Sequence, residues 1–199
     1  MYPLLETIKI YHGKVVNLYY HQTRMDKAYQ EYYNKKNPFK LKQLIQPGIH
    51  HSFGIVKCRL MYNAENFSID YKPYKSKQIN TLKIIRAYNL DYHLKYTDRS
   101  GINALLEQKE ACDDILIIKD GCISDTSYAN IAFLKAGKWI TPDTPLLAGT
   151  KRQSLIDKKI LVPKRILIKD LNLFSGFRLV NAMLSFDGQF IKPVKNISY

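Results

Sequence analysis

Thr7 and Lys9 alternate with Ile8 and Ile10 at the end of LLETIKI, and Lys57 and Arg59 with Val56, Cys58 and Leu60 within the run from Gly54 to Tyr62, the period-2 pattern of strands with one buried face. A turn at His12-Gly13 follows the first strand, and a short second strand leads into a helix starting near His21. Met25, Ala28, Tyr29 and Tyr32 recur there at helical spacing and predict its apolar face. Asn63 to Asn66 reads as a turn, and Phe67 to Tyr74 as the returning arm of a hairpin; Lys57 and Arg59 share one face of its first strand.

The polar stretch KPYKSKQINT separates this pattern from a second one. KIIRA predicts a strand, and Leu105, Leu106, Lys109 and Ala111 a helix ending near Cys112, with Asp98 or Ser100 as its cap. Strands follow at DDILIIKDG and NIAFLKAGKW, joined by the small polar stretch DTSYAN. After a break at TPDTPLLAGT come a short helix, KRQSLIDKKI, further strands at RILIK and GFRLVNAML, and a final KPVKNI. The pattern predicts two α/β parts, a small one over 1–85 and a larger one over 86–199.

Composition narrows the function. At 46% hydrophobic and 12% aromatic, the 199-residue chain can bury a substantial core. No apolar run is long enough for a membrane helix and the N-terminus lacks a leader pattern, which predicts a cytoplasmic protein with no membrane partner. Cys58, Cys112 and Cys122 lack metal-ligand spacing and read as reduced thiols; no metal site is expected. The net charge of +14 comes mostly from Lys, 24 of the 31 basic residues, spread along the chain without a nucleic-acid-binding motif. Nucleic acid is therefore not expected as a partner, whereas a small anionic substrate would be attracted.

Gly149-Thr150 ahead of a helix is a weak hint of an anion site by itself. The order of pieces says more. DDILII-x-x-G-x-I-x-DTS-x-AN-I-x-F, then W-x-TP, then PLL-x-GT-x-R resembles the class IV aminotransferase family of pyridoxal phosphate enzymes. ETIKI and HQTRM at the front, and VNAM and KPV at the end, extend the resemblance over most of the chain. The resemblance implies a two-domain fold like that of D-amino-acid aminotransferase, pyridoxal 5'-phosphate as cofactor bound between the domains, and a homodimer.

Site residues follow by matching positions. Lys95 stands where the family joins its cofactor to a lysine. Asp125 stands where the family places a Glu beside the cofactor's ring nitrogen, one methylene shorter here, with Ser127 and Asn130 shaping the turn next to it. Arg24, in the H-x-x-R of the first helix, matches the phosphate arginine, and Thr150, Lys151, Asn181 and Ala182 match further phosphate contacts; Lys151 replaces a common Thr. Arg99 falls near the expected position of the cofactor's phenolic oxygen. Arg59, Lys57 and Arg178 are candidates for substrate carboxylates, since Arg pairs with them bidentately.

The short form of the chain is similar to 4-amino-4-deoxychorismate lyases, which release pyruvate and form 4-aminobenzoate for folate synthesis. An aminotransferase acting on branched-chain or D-amino acids, and a cofactor-binding protein without turnover, are the alternatives that these residues leave open.

Overall fold

The computed structural model describes residues 1–48 and 53–199. They form two compact units, Met1–Ser76 with Leu94–Asp98, and Lys77–His93 with Arg99–Tyr199. The division falls between Ser76 and Lys77 instead of near 85, and for a simple reason. The KIIRA strand is paired within the larger unit, while the segment carrying Lys95 returns to the smaller one.

The smaller unit is one antiparallel sheet and a helix. Its strands are β1 (Leu4–Tyr11), β2 (Lys14–Val15), β3 (Ile55–Tyr62) and β4 (Phe67–Pro73), in the order β2-β1-β3-β4. Strict alternation of buried and half-buried residues along β3 matches the predicted period. One sheet face, with Leu4, Ile8, Ile10, Val56, Cys58 and Leu60, shares a core with Met25, Ala28 and Tyr29 of helix α1 (Leu18–Tyr33). The helix begins earlier than predicted, because Asn17 turns the chain in the left-handed region with φ 55°. Tyr32 lies outside the buried stripe, and His21 is buried in its place. A short helix, α2 (Leu41–Leu44), completes the unit.

Two sheets share the core of the larger unit. The first contains β5 (Leu82–Ala87), β6 (Asp114–Lys119), β7 (Cys122–Thr126) and β13 (Ile197–Ser198), in the order β13-β5-β6-β7. The second contains β8 (Asn130–Lys135), β9 (Lys138–Pro142), β10 (Leu161–Lys164), β11 (Gly176–Val180) and β12 (Lys192–Pro193), in the order β10-β9-β8-β11-β12. Leu82, Leu116 and Ile118 from one sheet meet Ile131, Phe133 and Phe177 from the other. Most of β6 is buried on both faces, which is why DDILII reads as a continuous apolar run.

Two local expectations fail here. RILIK is not a strand: apart from an isolated bridge between Leu167 and Cys122, it leads into a 3-10 helix at Ile168–Leu173, held by Asp170 accepting from the Leu167 N–H at 2.9 Å. Helix α3 (Ser100–Leu106) buries Ile102 and passes into a 3-10 turn at Glu107–Lys109; Arg99 holds its N-cap position without a side-chain capping bond. Cys58, Cys112 and Cys122 are free thiols. Among the described residues no helix is long and apolar enough to cross a membrane, and no cluster of His, Cys, Asp and Glu could hold a metal.

Candidate active site

The DTSYAN stretch is the hinge of two strands. Between β6 and β7 the register slips: Leu116 faces Thr126 while Ile118 faces Ile123, so β7 carries one extra residue in a bulge that includes Asp125. A tight turn closes at once, with the Thr126 N–H donating to the Ala129 carbonyl at 2.8 Å and the Ala129 N–H to Thr126 Oγ1 at 3.2 Å. Asp125 and Asn130 therefore stand side by side at the base of the turn.

Asp125 is only 5% exposed, and both its oxygens are in use. Asn130 Nδ2 donates to one at 2.8 Å and the Leu147 N–H to the other at 3.0 Å, while Asn130 Nδ2 also reaches the Leu147 carbonyl at 2.9 Å. Burial pushes this carboxyl up to about 6, against the pull of Asn130, Leu147 and the Arg152 charge. Arg152 is itself buried, donating to Thr141 Oγ1 and to the Pro142 carbonyl. It is the third residue of helix α4 (Thr150–Asp157), the Arg that ends the GT-x-R motif, and its position in the first turn of a helix is the only signal of this role in the sequence.

The same network fixes Gly149, the N-cap of α4. A Cβ built there would stand 1.9 Å from Asn130 Oδ1, and Gly149 offers no side-chain cap to the amides of the first turn. Gly149→Ala is expected to displace Asn130 and lower stability by about 1–3 kcal/mol, the usual range for an overpacked site. A urea melt beside wild type checks this; an unchanged midpoint would mean that Asn130 is not held as tightly as the contact requires.

Thr150 is buried at the helix start and Lys151 half-buried beside it; burial and the Lys158 charge lower the Lys151 ammonium, with Asp187 opposing. Arg99 donates through Nη2 to the Ser127 carbonyl at 2.7 Å, so it braces the turn after Asp125. Asn181 caps its own turn, its Oδ1 accepting from the N–H groups of Met183 and Leu184, with Ala182 half-buried inside it. Arg178 lies over the rings of Trp139 and Phe186 and donates to the Phe186 carbonyl at 3.1 Å, while its Nε is buried with no hydrogen-bond partner among the described residues.

The smaller unit gathers a second group. Lys95 lies on a segment that runs beside β1: its carbonyl accepts from the Leu5 N–H at 3.0 Å, and Tyr96 bridges to Leu4. Arg24 donates to both oxygens of Glu6, Nε to one at 2.9 Å and Nη2 to the other at 2.6 Å, and His21 Nδ1 lies 2.6 Å from the second oxygen. Burial would raise Glu6, but the Arg24 charge and the His21 bond reverse this and hold its carboxyl down at about 2. His21 is shifted downward by burial, with Glu6 opposing and the Arg24 and Lys95 charges adding to the downward push; against the ionised Glu6 carboxylate its Nδ1 is the donor. Glu6 and His21 belong to the ETIKI and HQTRM motifs, but nothing in the spacing of those motifs assigns them a role. Lys57 and Arg59 are half-buried on the sheet face opposite α1, Lys57 in register with Lys9 and Lys72, and Arg59 with Thr7 and Asp70.

The family model for amino-transferase class IV matches residues 3–197. An uncharacterized protein of Haemophilus influenzae is 40% identical over 185 residues, which span 92% of this chain and 98% of that one. A crystal structure from Haemophilus somnus 129pt, of a protein provisionally named 4-amino-4-deoxychorismate lyase, is 38% identical with a TM-score of 0.88, covering 92% of this chain and 97% of that one. A hypothetical aminotransferase from Mycobacterium tuberculosis in its PLP-bound form shares the fold alone, at 13% identity and a TM-score of 0.76, over 98% of this chain and 81% of its own. The chain thus belongs to the class IV aminotransferase family, a family of pyridoxal 5'-phosphate-dependent enzymes with this α/β fold.

Proposed function

We propose that the protein is a cytoplasmic, homodimeric 4-amino-4-deoxychorismate lyase that releases pyruvate and forms 4-aminobenzoate. The observation that carries this reading is the likeness, at 38% identity and over nearly the whole of both chains, to the Haemophilus somnus protein of that provisional name. The aminotransferase reading is favoured by the family name and by the many neighbours that share the fold, but at identities too low to speak to a reaction.

The residues present fit the cofactor. A carboxylate with both oxygens fixed suits a protonated ring nitrogen, and a helix start with no capping side chain, backed by Lys151, suits a phosphate. In this reading Asp125 holds the ring nitrogen, while Arg24, Thr150, Lys151, Asn181 and Ala182 hold the phosphate. Arg99 braces the turn, and Arg59 and Lys57 meet the substrate carboxylates. Pyridoxal phosphate, when bound, serves as an electron sink for charge developing on the amine-bearing carbon. Lys95 takes the proton from that carbon. The carbon–oxygen bond to the enolpyruvyl group breaks as the ring becomes aromatic, and the departing enolate takes up a proton to become pyruvate.

The test is incubation of the cofactor-loaded protein with 4-amino-4-deoxychorismate while pyruvate and 4-aminobenzoate are measured together. Equal release of the two products is expected. Release of neither, with keto acid formed from branched-chain or D-amino acids instead, would replace the lyase by the aminotransferase.

A further inference from the structure

Glu6 is the most deeply buried carboxylate of the smaller unit, 1% exposed on the sheet face it shares with Leu4, Ile8 and Ile10. A buried charge at such a place is expensive, and an apolar side chain of similar volume would serve the core as well or better. Its partners explain what it does. His21 and Arg24 are three residues apart and so lie on one face of α1, and both converge on the two oxygens of Glu6. The carboxylate grips the Nε–Nη2 edge of Arg24 in a planar fork, which fixes where the rest of the guanidinium points.

We propose that Glu6 is a positioning residue that presets Arg24 for the cofactor phosphate, with His21 holding Glu6 in register. This rests on the reading of Arg24 as a phosphate ligand. A negative charge behind a phosphate-binding Arg weakens the long-range attraction for a dianion, so the benefit of Glu6 is geometric. The guanidinium is already ordered when the ligand arrives, and less conformational freedom is lost on binding. Charge and geometry thus make opposite predictions for removal of the Glu6 charge.

Glu6→Gln adds one positive charge to the cluster yet loosens the fork. The apoprotein is titrated with pyridoxal 5'-phosphate and with pyridoxal, which lacks the phosphate, each followed by protein fluorescence. In wild type the phosphate form binds more tightly. In Glu6→Gln that advantage is expected to shrink by about tenfold, the effect of misplacing one charge-assisted contact, with pyridoxal binding little changed. Arg24→Ala should lose the advantage further, and adding Glu6→Gln to it should subtract nothing more.

A merely structural carboxylate would weaken both ligands alike, and that result overturns the proposal, as does tighter phosphate binding in Glu6→Gln. If Arg24→Ala keeps the full phosphate advantage, the reading of Arg24 fails instead. Should Glu6→Gln not fold, Glu6→Asp keeps the charge but retracts it by one methylene. The same selective loss, smaller in size, is then expected, and its absence overturns the proposal.

Discussion

Lys95→Ala is expected to fold normally and to lose pyruvate release by at least about a thousandfold, because the residue assigned to move the proton is gone. Folding should survive, since the segment is tied by its backbone. The Lys95 carbonyl accepts from Leu5, the Thr97 N–H donates to the Pro3 carbonyl at 2.8 Å, and Thr97 Oγ1 donates to the Tyr2 carbonyl at 2.7 Å. The absorption band of a lysine-joined cofactor should vanish with the activity. Lys95→Arg sharpens the result, because Arg keeps the charge but neither deprotonates nor joins a carbonyl. It should be as inactive as the Ala variant. Pyruvate release within tenfold of wild type in either variant would remove Lys95 from the chemistry.

What could be read in the sequence was whatever repeats at short range. Alternation along β3 and the unbroken apolar run of β6 record which faces are buried, and a neighbouring turn or bulge does not disturb that record. The 3-10 helix at Ile168–Leu173 was missed because ILIK satisfies a strand pattern equally well, and one bond from Asp170 to the Leu167 N–H decides the matter. Pairings across long separations were not legible. Glu6 has the inward parity of Leu4, Ile8 and Ile10, but nothing local announces that it meets residues 15 and 18 positions further on. The stacking of Arg178 on Trp139, far away in the chain, is a pairing of the same long-range kind. The return of Leu94–Asp98 to the smaller unit is likewise set by pairing with β1, which no local composition announces.

Asp125 is the position where a difference from the family's pattern can be turned into a measurement. Asp125→Asn should reduce pyruvate release by about a hundredfold to a thousandfold, the scale for losing one preorganised electrostatic group. Asp125→Glu, which restores the residue the family uses, should not improve the enzyme. Both oxygens of Asp125 are already placed, on Asn130 and on the Leu147 N–H, in a site packed against Gly149. An extra methylene there must push the carboxylate off these donors or strain the turn, at about 1–3 kcal/mol. An Asp125→Glu variant faster than wild type would show that the shorter side chain is a defect.

The pH dependence of stability gives an independent check on the same carboxyl. Its folded value, about 6, lies above the ordinary value for an unfolded chain, so the folded apoprotein holds the proton to higher pH. The associated stability is fully present below the ordinary carboxylate value and is lost as pH rises through about 6, by an amount on the order of 3 kcal/mol. Urea midpoints of wild type should therefore fall relative to Asp125→Asn between about pH 4 and pH 7, where only the wild type changes its charge at this position. Pyridoxal phosphate should flatten the wild-type decline, because a protonated nitrogen beside Asp125 favours the ionised carboxylate. A parallel pair of curves for the two apoproteins would mean that Asp125 is ionised at little expense. A decline that pyridoxal phosphate leaves untouched would mean that the ring nitrogen binds elsewhere.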